Sequence, residues 1–82
     1  MTKIEAAEKM VSMINEMTPM AKARVWILKD EKDNVTKVRV YLEKGYIDIR
    51  DDEKAHIETV GRNFFESAKQ ALAVTGYKRV YV

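Results

Sequence analysis

Lys22-Ala23-Arg24-Val25-Trp26-Ile27-Leu28, followed after a polar gap by Lys37-Val38-Arg39-Val40-Tyr41-Leu42 and then by Tyr46-Ile47-Asp48-Ile49-Arg50, decides the fold. Apolar and polar residues alternate with period two through all three runs, which is the spacing of half-buried strands. The polar residues Asp30 to Asn34 separate the first run from the second. Gly45 supplies the positive φ that a tight hairpin wants between the second and third. A three-stranded meander is therefore expected. A two-residue Lys44-Gly45 loop sets Leu42 opposite Ile47, Tyr41 opposite Asp48 and Arg39 opposite Arg50. A four-residue loop over 31–34 sets Trp26 opposite Arg39 and Arg24 opposite Tyr41.

Helices are expected on either side of the meander. Thr2 and Glu5 have capping-box spacing, so a helix starts there and ends near Met17, ahead of Pro19. Ile4, Ala7, Val11 and Ile14 form one stripe of it, and Ala6, Met10, Met13 and Met17 a second beside it. Asp51-Asp52-Glu53 places acids where a second helix would favour them. From there Ile57, Val60, Phe64, Phe65, Ala68, Ala71 and Leu72 recur on one side, with Gly61 among them as a close-packing point. Lys54, Glu58, Arg62 and Glu66 run along its solvated side at i,i+4 spacing. Gly76 ends that helix, and residues 77–82 read as a last strand with Val80 and Val82 inward. The result is an α+β domain of order αβββαβ, its mainly antiparallel sheet carrying both helices on one face and leaving the other open.

Residues 1–82 are read as a single domain, because a chain this short buries only roughly 60% of its unfolded surface and has no material for a second core. It contains no cysteine, so packing alone must hold it and a reducing compartment fits. No apolar run approaches the roughly 20 residues of a membrane span, and a soluble cytoplasmic protein is expected. The net charge of +2 is uneven: residues 1–19 sum to −1, residues 51–75 to −2 and the rest to +5. The leading αβββα order, over about residues 2–74, resembles double-stranded RNA-binding domains in topology. That resemblance implies a lysine cluster at the start of the second helix, where this chain has Asp51-Asp52-Glu53.

Parity sorts the sheet into two faces. Ala23, Val25, Ile27, Val38, Val40, Leu42, Ile47, Ile49, Val80 and Val82 form the core side. Trp26, Tyr41, Tyr46, Tyr77 and Tyr81 share the other with Lys22, Arg24, Lys37, Arg39, Arg50 and Arg79. Exposed tryptophan amid tyrosine and arginine is the composition of binding hot spots, although the same residues also suit a plain solvated sheet. Two functions compete. In the first, the open face docks a protein, as an inhibitor, an adaptor or a second copy, through Trp26, Arg24, Arg39, Tyr41, Arg50, Tyr46, Arg79 and Tyr81. In the second, the aromatics stack nucleic-acid bases while the cations meet phosphates. Asp30, Glu43 and Asp48 offset the six cations to a surplus of three, which is weak for phosphate neutralisation and favours the protein partner. Met10, Met13 and Met17, with Met20, form a shoulder that either fills core gaps or meets a partner.

Catalysis finds little support. His56 is placed on the polar side of the second helix, and Ser12 and Ser67 have no base nearby in sequence. No phosphate-cradling glycine loop or metal-ligand spacing is present, and capping accounts for Asp51-Asp52-Glu53 better than a divalent cation does. No metal, cofactor, small-molecule substrate or membrane is expected among its ligands.

Overall fold

The computed structural model describes residues 1–81. Its elements are α1 (Lys3–Met17), a short 3-10 turn (Pro19–Ala21), β1 (Arg24–Lys29), β2 (Val35–Leu42), β3 (Gly45–Arg50), β4 (Lys54–Thr59), α2 (Arg62–Thr75) and β5 (Lys78–Arg79). The strands make one five-stranded sheet in sequential order. β1 to β4 pair antiparallel, and β5 returns through α2 to lie parallel to β4. The fold is α+β as expected, with one strand more than the sequence reading supplies.

α1 begins at the capping box: the Thr2 hydroxyl accepts from the Glu5 amide at 3.1 Å, and the Glu5 carboxylate accepts from the Thr2 amide at 3.0 Å. Those hydrogen bonds hold the Glu5 carboxyl below its ordinary value. One buried cluster takes Ala6, Ala7, Met10 and Ile14 from α1 and Ala68, Ala71 and Leu72 from α2. The sheet contributes Val38, Val40, Leu42, Ile47, Ile49, Ala55 and Ile57, all of one parity. Met10 is fully buried, so the methionine shoulder divides: Met10 is core, Met13 packs against it, and Met17 and Met20 are exposed.

β4 overturns the expected start of the second helix. Residues 54–59 pair with β3 in a hairpin, Ile47 facing Ile57 and Ile49 facing Ala55. Asp51-Asp52-Glu53 is the turn, with Asp52 at φ 61° and Glu53 at φ 57°, a region aspartate tolerates better than most residues. Lys54, His56 and Glu58 are thus strand residues, so the helical series that Lys54 and Glu58 were expected to open is absent and His56 is not on a helix. The order αββββαβ also ends the topological likeness to double-stranded RNA-binding domains. Gly61 lies at the N-cap of α2 with φ 101°, and a Cβ there would meet nothing within 4 Å, so it is no packing point. Val60 beside it is exposed.

Two registers differ in outcome. β1 pairs with β2 as expected, Trp26 opposite Arg39 and Arg24 opposite Tyr41. β2 pairs with β3 two residues away from expectation: Leu42 faces Gly45, Tyr41 faces Tyr46, and Arg39 faces Asp48 instead of Arg50. Gly45 belongs to the strand, because β4 approaches it so closely that a Cβ would stand 2.2 Å from the Glu58 carbonyl oxygen. The shift exchanges a like-charge pair for an opposite-charge one.

β5 reverses the expected parity. Tyr77 is buried in the core, and Arg79, paired with Ala55, turns its guanidinium over the Phe65 ring of α2 at 4.6 Å. Tyr81 follows it, 4.4 Å from that guanidinium. Tyr77, Arg79 and Tyr81 therefore leave the open face, and Val80 takes the parity opposite to the core. Val82 lies outside the described residues. Ile27 has the expected parity but is 37% exposed, because β1 extends past the helical cover.

Candidate interaction face of the sheet

Three rows of side chains cross the open face, each set by the registers. The first runs Arg24, Tyr41, Tyr46, Glu58. The second runs Trp26, Arg39, Asp48, His56. The third runs Leu28, Lys37, Arg50, Lys54, Lys78, where continuing the β2–β3 register by one residue places Lys37 beside Arg50.

Arg39 is the hub of the first two rows. Its Nε donates to Asp48 Oδ1 at 3.1 Å, and its Nη1 donates to the Tyr41 hydroxyl at 3.2 Å. Its guanidinium lies 4.3 Å from the Tyr46 ring centre and 5.9 Å from that of Trp26. Trp26 meets Tyr41 edge to face, centroids 5.9 Å apart at 88°, and Arg24 lies 5.6 Å over the other side of the cluster, on the Tyr41 ring. Each exposed cation–π contact is worth about 0.5–1 kcal/mol. The Tyr41 hydroxyl, and then the Asp48 carboxylate, raise the Arg39 pKa against the desolvation that lowers it. Arg39 and Asp48 keep only 21% and 15% of their side-chain surface, so this ion pair is better shielded than an ordinary surface pair. Asp48 also lies 4.0 Å from the Arg50 Nε.

The third row is a line of four cations on four neighbouring strands, roughly 5 Å apart. Like charges facing across strands are unfavourable, as Arg50–Lys54 and Lys54–Lys78 are here. The acidic turn Asp51-Asp52-Glu53 adjoins the row and offsets part of its field, and Asp51 is itself 3.0 Å from the Lys3 Nζ. His56 closes the second row with Nε2 3.0 Å from Glu58 and Nδ1 3.4 Å from the Val80 carbonyl oxygen.

Of the residues expected to bind, Trp26, Arg24, Arg39, Tyr41 and Tyr46 come together, and Arg50 joins them through Asp48. Arg79 and Tyr81 do not. Lys54, His56, Glu58 and Lys78 are the additions, and the alternation of Ala55 and Ile57 is the signal that announces them. Ser67 is half of a contact between the helical layers, its hydroxyl hydrogen-bonded to that of Thr18. Among the described residues no three His, Asp or Glu side chains converge as metal ligands. No helix is long and apolar enough to cross a membrane. Set against known protein families, characterised proteins and solved structures, the chain matches none.

Proposed function

We propose that this domain is a non-enzymatic binding module whose open sheet face docks a protein partner, with Trp26, Tyr41 and Arg39 as anchors. The observation that carries the reading is the interlocked cluster of Trp26, Arg39, Tyr41 and Tyr46, held from below by Asp48 yet with Trp26 still 36% exposed. Rigid aromatic and arginine groups lose little freedom on binding, which is why they dominate hot spots. Arg39 already has its carboxylate, so it is not a free phosphate ligand. A chain without cysteine suits a reducing compartment, and we place this docking in the cytoplasm.

A second reading, single-stranded nucleic acid on the same face, is favoured by the row Lys37, Arg50, Lys54 and Lys78. Four phosphate contacts would make log K fall with log salt at a slope of about −3. Capture of a partner from nuclease-treated lysate decides between the two. On the protein reading, capture survives nuclease, Trp26→Ala weakens it by about 2 kcal/mol or more, and neutralising the four cations to glutamine changes mainly the association rate. Capture that disappears with nuclease and with the glutamine variant, but tolerates Trp26→Ala, replaces the protein reading with the nucleic-acid one. Trp26 is the only tryptophan, so its emission reports docking on this face directly.

A further inference from the structure

β1 is an edge strand, and the direction of its free peptide groups can be read from its neighbours. The Ala23 amide donates to the Asn15 side chain at 2.7 Å, and the Ala23 carbonyl accepts from it at 3.0 Å, so α1 caps this residue from the side away from β2. Backbone direction alternates along a strand. Val25, Ile27 and Lys29 accordingly turn their amides and carbonyls outward with Ala23. The even positions face β2: the Thr36 hydroxyl donates to the Leu28 carbonyl, and the Asp30 amide donates to the Asn34 carbonyl.

The edge is also apolar. Trp26, Ile27 and Leu28 are 36%, 37% and 47% exposed, with Val25 beside them. Proteins usually blunt such edges with proline, an interior charge, a bulge or extreme shortness, and the one irregularity in the β1 pairing falls at its far end, between Leu28 and Lys29. From Arg24 to Leu28 β1 has none of these, whereas β5 at the opposite edge is two residues long and both are cations.

We infer that β1 pairs antiparallel with β1 of a second copy, about a two-fold axis through Ile27. Outward groups must meet outward groups, so odd residues face odd residues and the two open faces lie on the same side of a continuous ten-stranded sheet. The axis position follows from charge and occupancy. With Ile27 on the axis, Val25 faces Lys29 of the second copy, Trp26 faces its Leu28, and Arg24 faces its Asp30, an opposite-charge pair made twice. Moving the axis to Trp26 would bring Lys29 to Ala23, whose groups Asn15 already occupies. Moving it to Leu28 would set Arg24 against Lys32 and Trp26 against Asp30. The inference does not rest on the docking function: it concerns the edge, and its readout is mass.

Sedimentation of the whole chain tests it. Between about 1 µM and 1 mM, the range over which a modest homodimer forms, the mass should rise from 9.5 kDa to twice that value. Ile27→Pro removes an outward amide without touching the β2 ladder and should hold the protein monomeric throughout. Because the chain has no cysteine, Ile27→Cys gives an independent check that does not depend on how well the proline variant folds. A hydrogen-bonded antiparallel pair places its Cα atoms about 5.5 Å apart, within disulfide reach, so mild oxidation should cross-link Ile27→Cys but not the exposed helical control Val74→Cys. A protein that stays monomeric at about 1 mM overturns the inference. So does a dimer that Ile27→Pro leaves intact, or one in which Ile27→Cys does not cross-link.

Discussion

The two edges of the sheet are finished in opposite ways. β5 is tied to its neighbours: the Lys78 amide donates to the carbonyl of Glu53 in the turn, the Val80 amide to that of Ala55 in β4, Tyr77 is buried, and Arg79 stacks on Phe65. β1 keeps contact with α1 mainly at its start, through Asn15 and Ala23, and then runs out with its apolar residues half exposed. At the β5 end Tyr77 and Phe65 are spent on cohesion and Tyr81 stays exposed beside Arg79, while at the β1 end Trp26 packs only against its neighbours on the open face. A binding face would be expected on the side of the molecule whose aromatics are not needed to hold it together.

The sharpest way to break this contrast is to remove one aromatic from each end. Tyr77→Ala should cost about 3–5 kcal/mol of unfolding free energy, as loss of a large buried ring does. Trp26→Ala should cost less, about 2 kcal/mol, because more than a third of its surface is already in water and its remaining contacts are one aromatic pair, one cation contact and partial burial. Equal losses in urea titrations would mean that Trp26 is structural and that the two ends do not differ in the way described.

A smaller effect is expected midway between the two edges, where β3 meets β4. An alanine Cβ at Gly45 would stand 2.2 Å from the Glu58 oxygen and 2.5 Å from the Thr59 Cα, backbone atoms that cannot swing away, at a φ of +137°. Gly45→Ala should lose about 2–3 kcal/mol. At Gly61 only the unfavourable φ of +101° opposes a side chain, and Gly61→Ala should lose about 1 kcal/mol. If Gly61 proves the more sensitive position, the close approach of β4 to β3 at Gly45 does not constrain the sheet there.

The same division governs what can be read from the sequence. In β1 and β2, parity and a turn-rich loop leave one register, so the Trp26–Arg39 and Arg24–Tyr41 pairs are legible. The β2–β3 register misreads by two because Gly45 looks like a turn residue, while its need is a long-range one, the approach of β4. β4 itself is masked by coincidence: Ile57, Val60 and Phe64 are three and four apart, which imitates a helical stripe, and three acids ahead of them imitate a helix start. Within that stripe, Gly61 is the residue that objects. β5 is too short for its own pattern to fix its facing, which is set by Tyr77 entering the core straight after the Gly76 cap. Four of the thirteen side chains in the three rows, Lys54, His56, Glu58 and Lys78, are lost with those two strands.

The smallest expected effect is one of alkaline pH, and it belongs to the β5 end. Burial, and after it the charge of Glu53, raises the Tyr77 phenol above its ordinary value of 10.0, with Asp51 adding to this and Lys3 opposing it. A folded-state pKa above the unfolded one means that both states hold the proton below pH 10, so the contribution of Tyr77 is fully present there. Above pH 10 the unfolded chain releases the proton first, and stability falls until the folded phenol also ionises. Urea midpoints measured from about pH 8 to pH 11 should therefore decline more steeply for the native protein than for Tyr77→Phe, which keeps the ring and has no proton to lose. Identical slopes would show that the phenol reaches water, and with it that the β5 end is less closed than the β1 end is open.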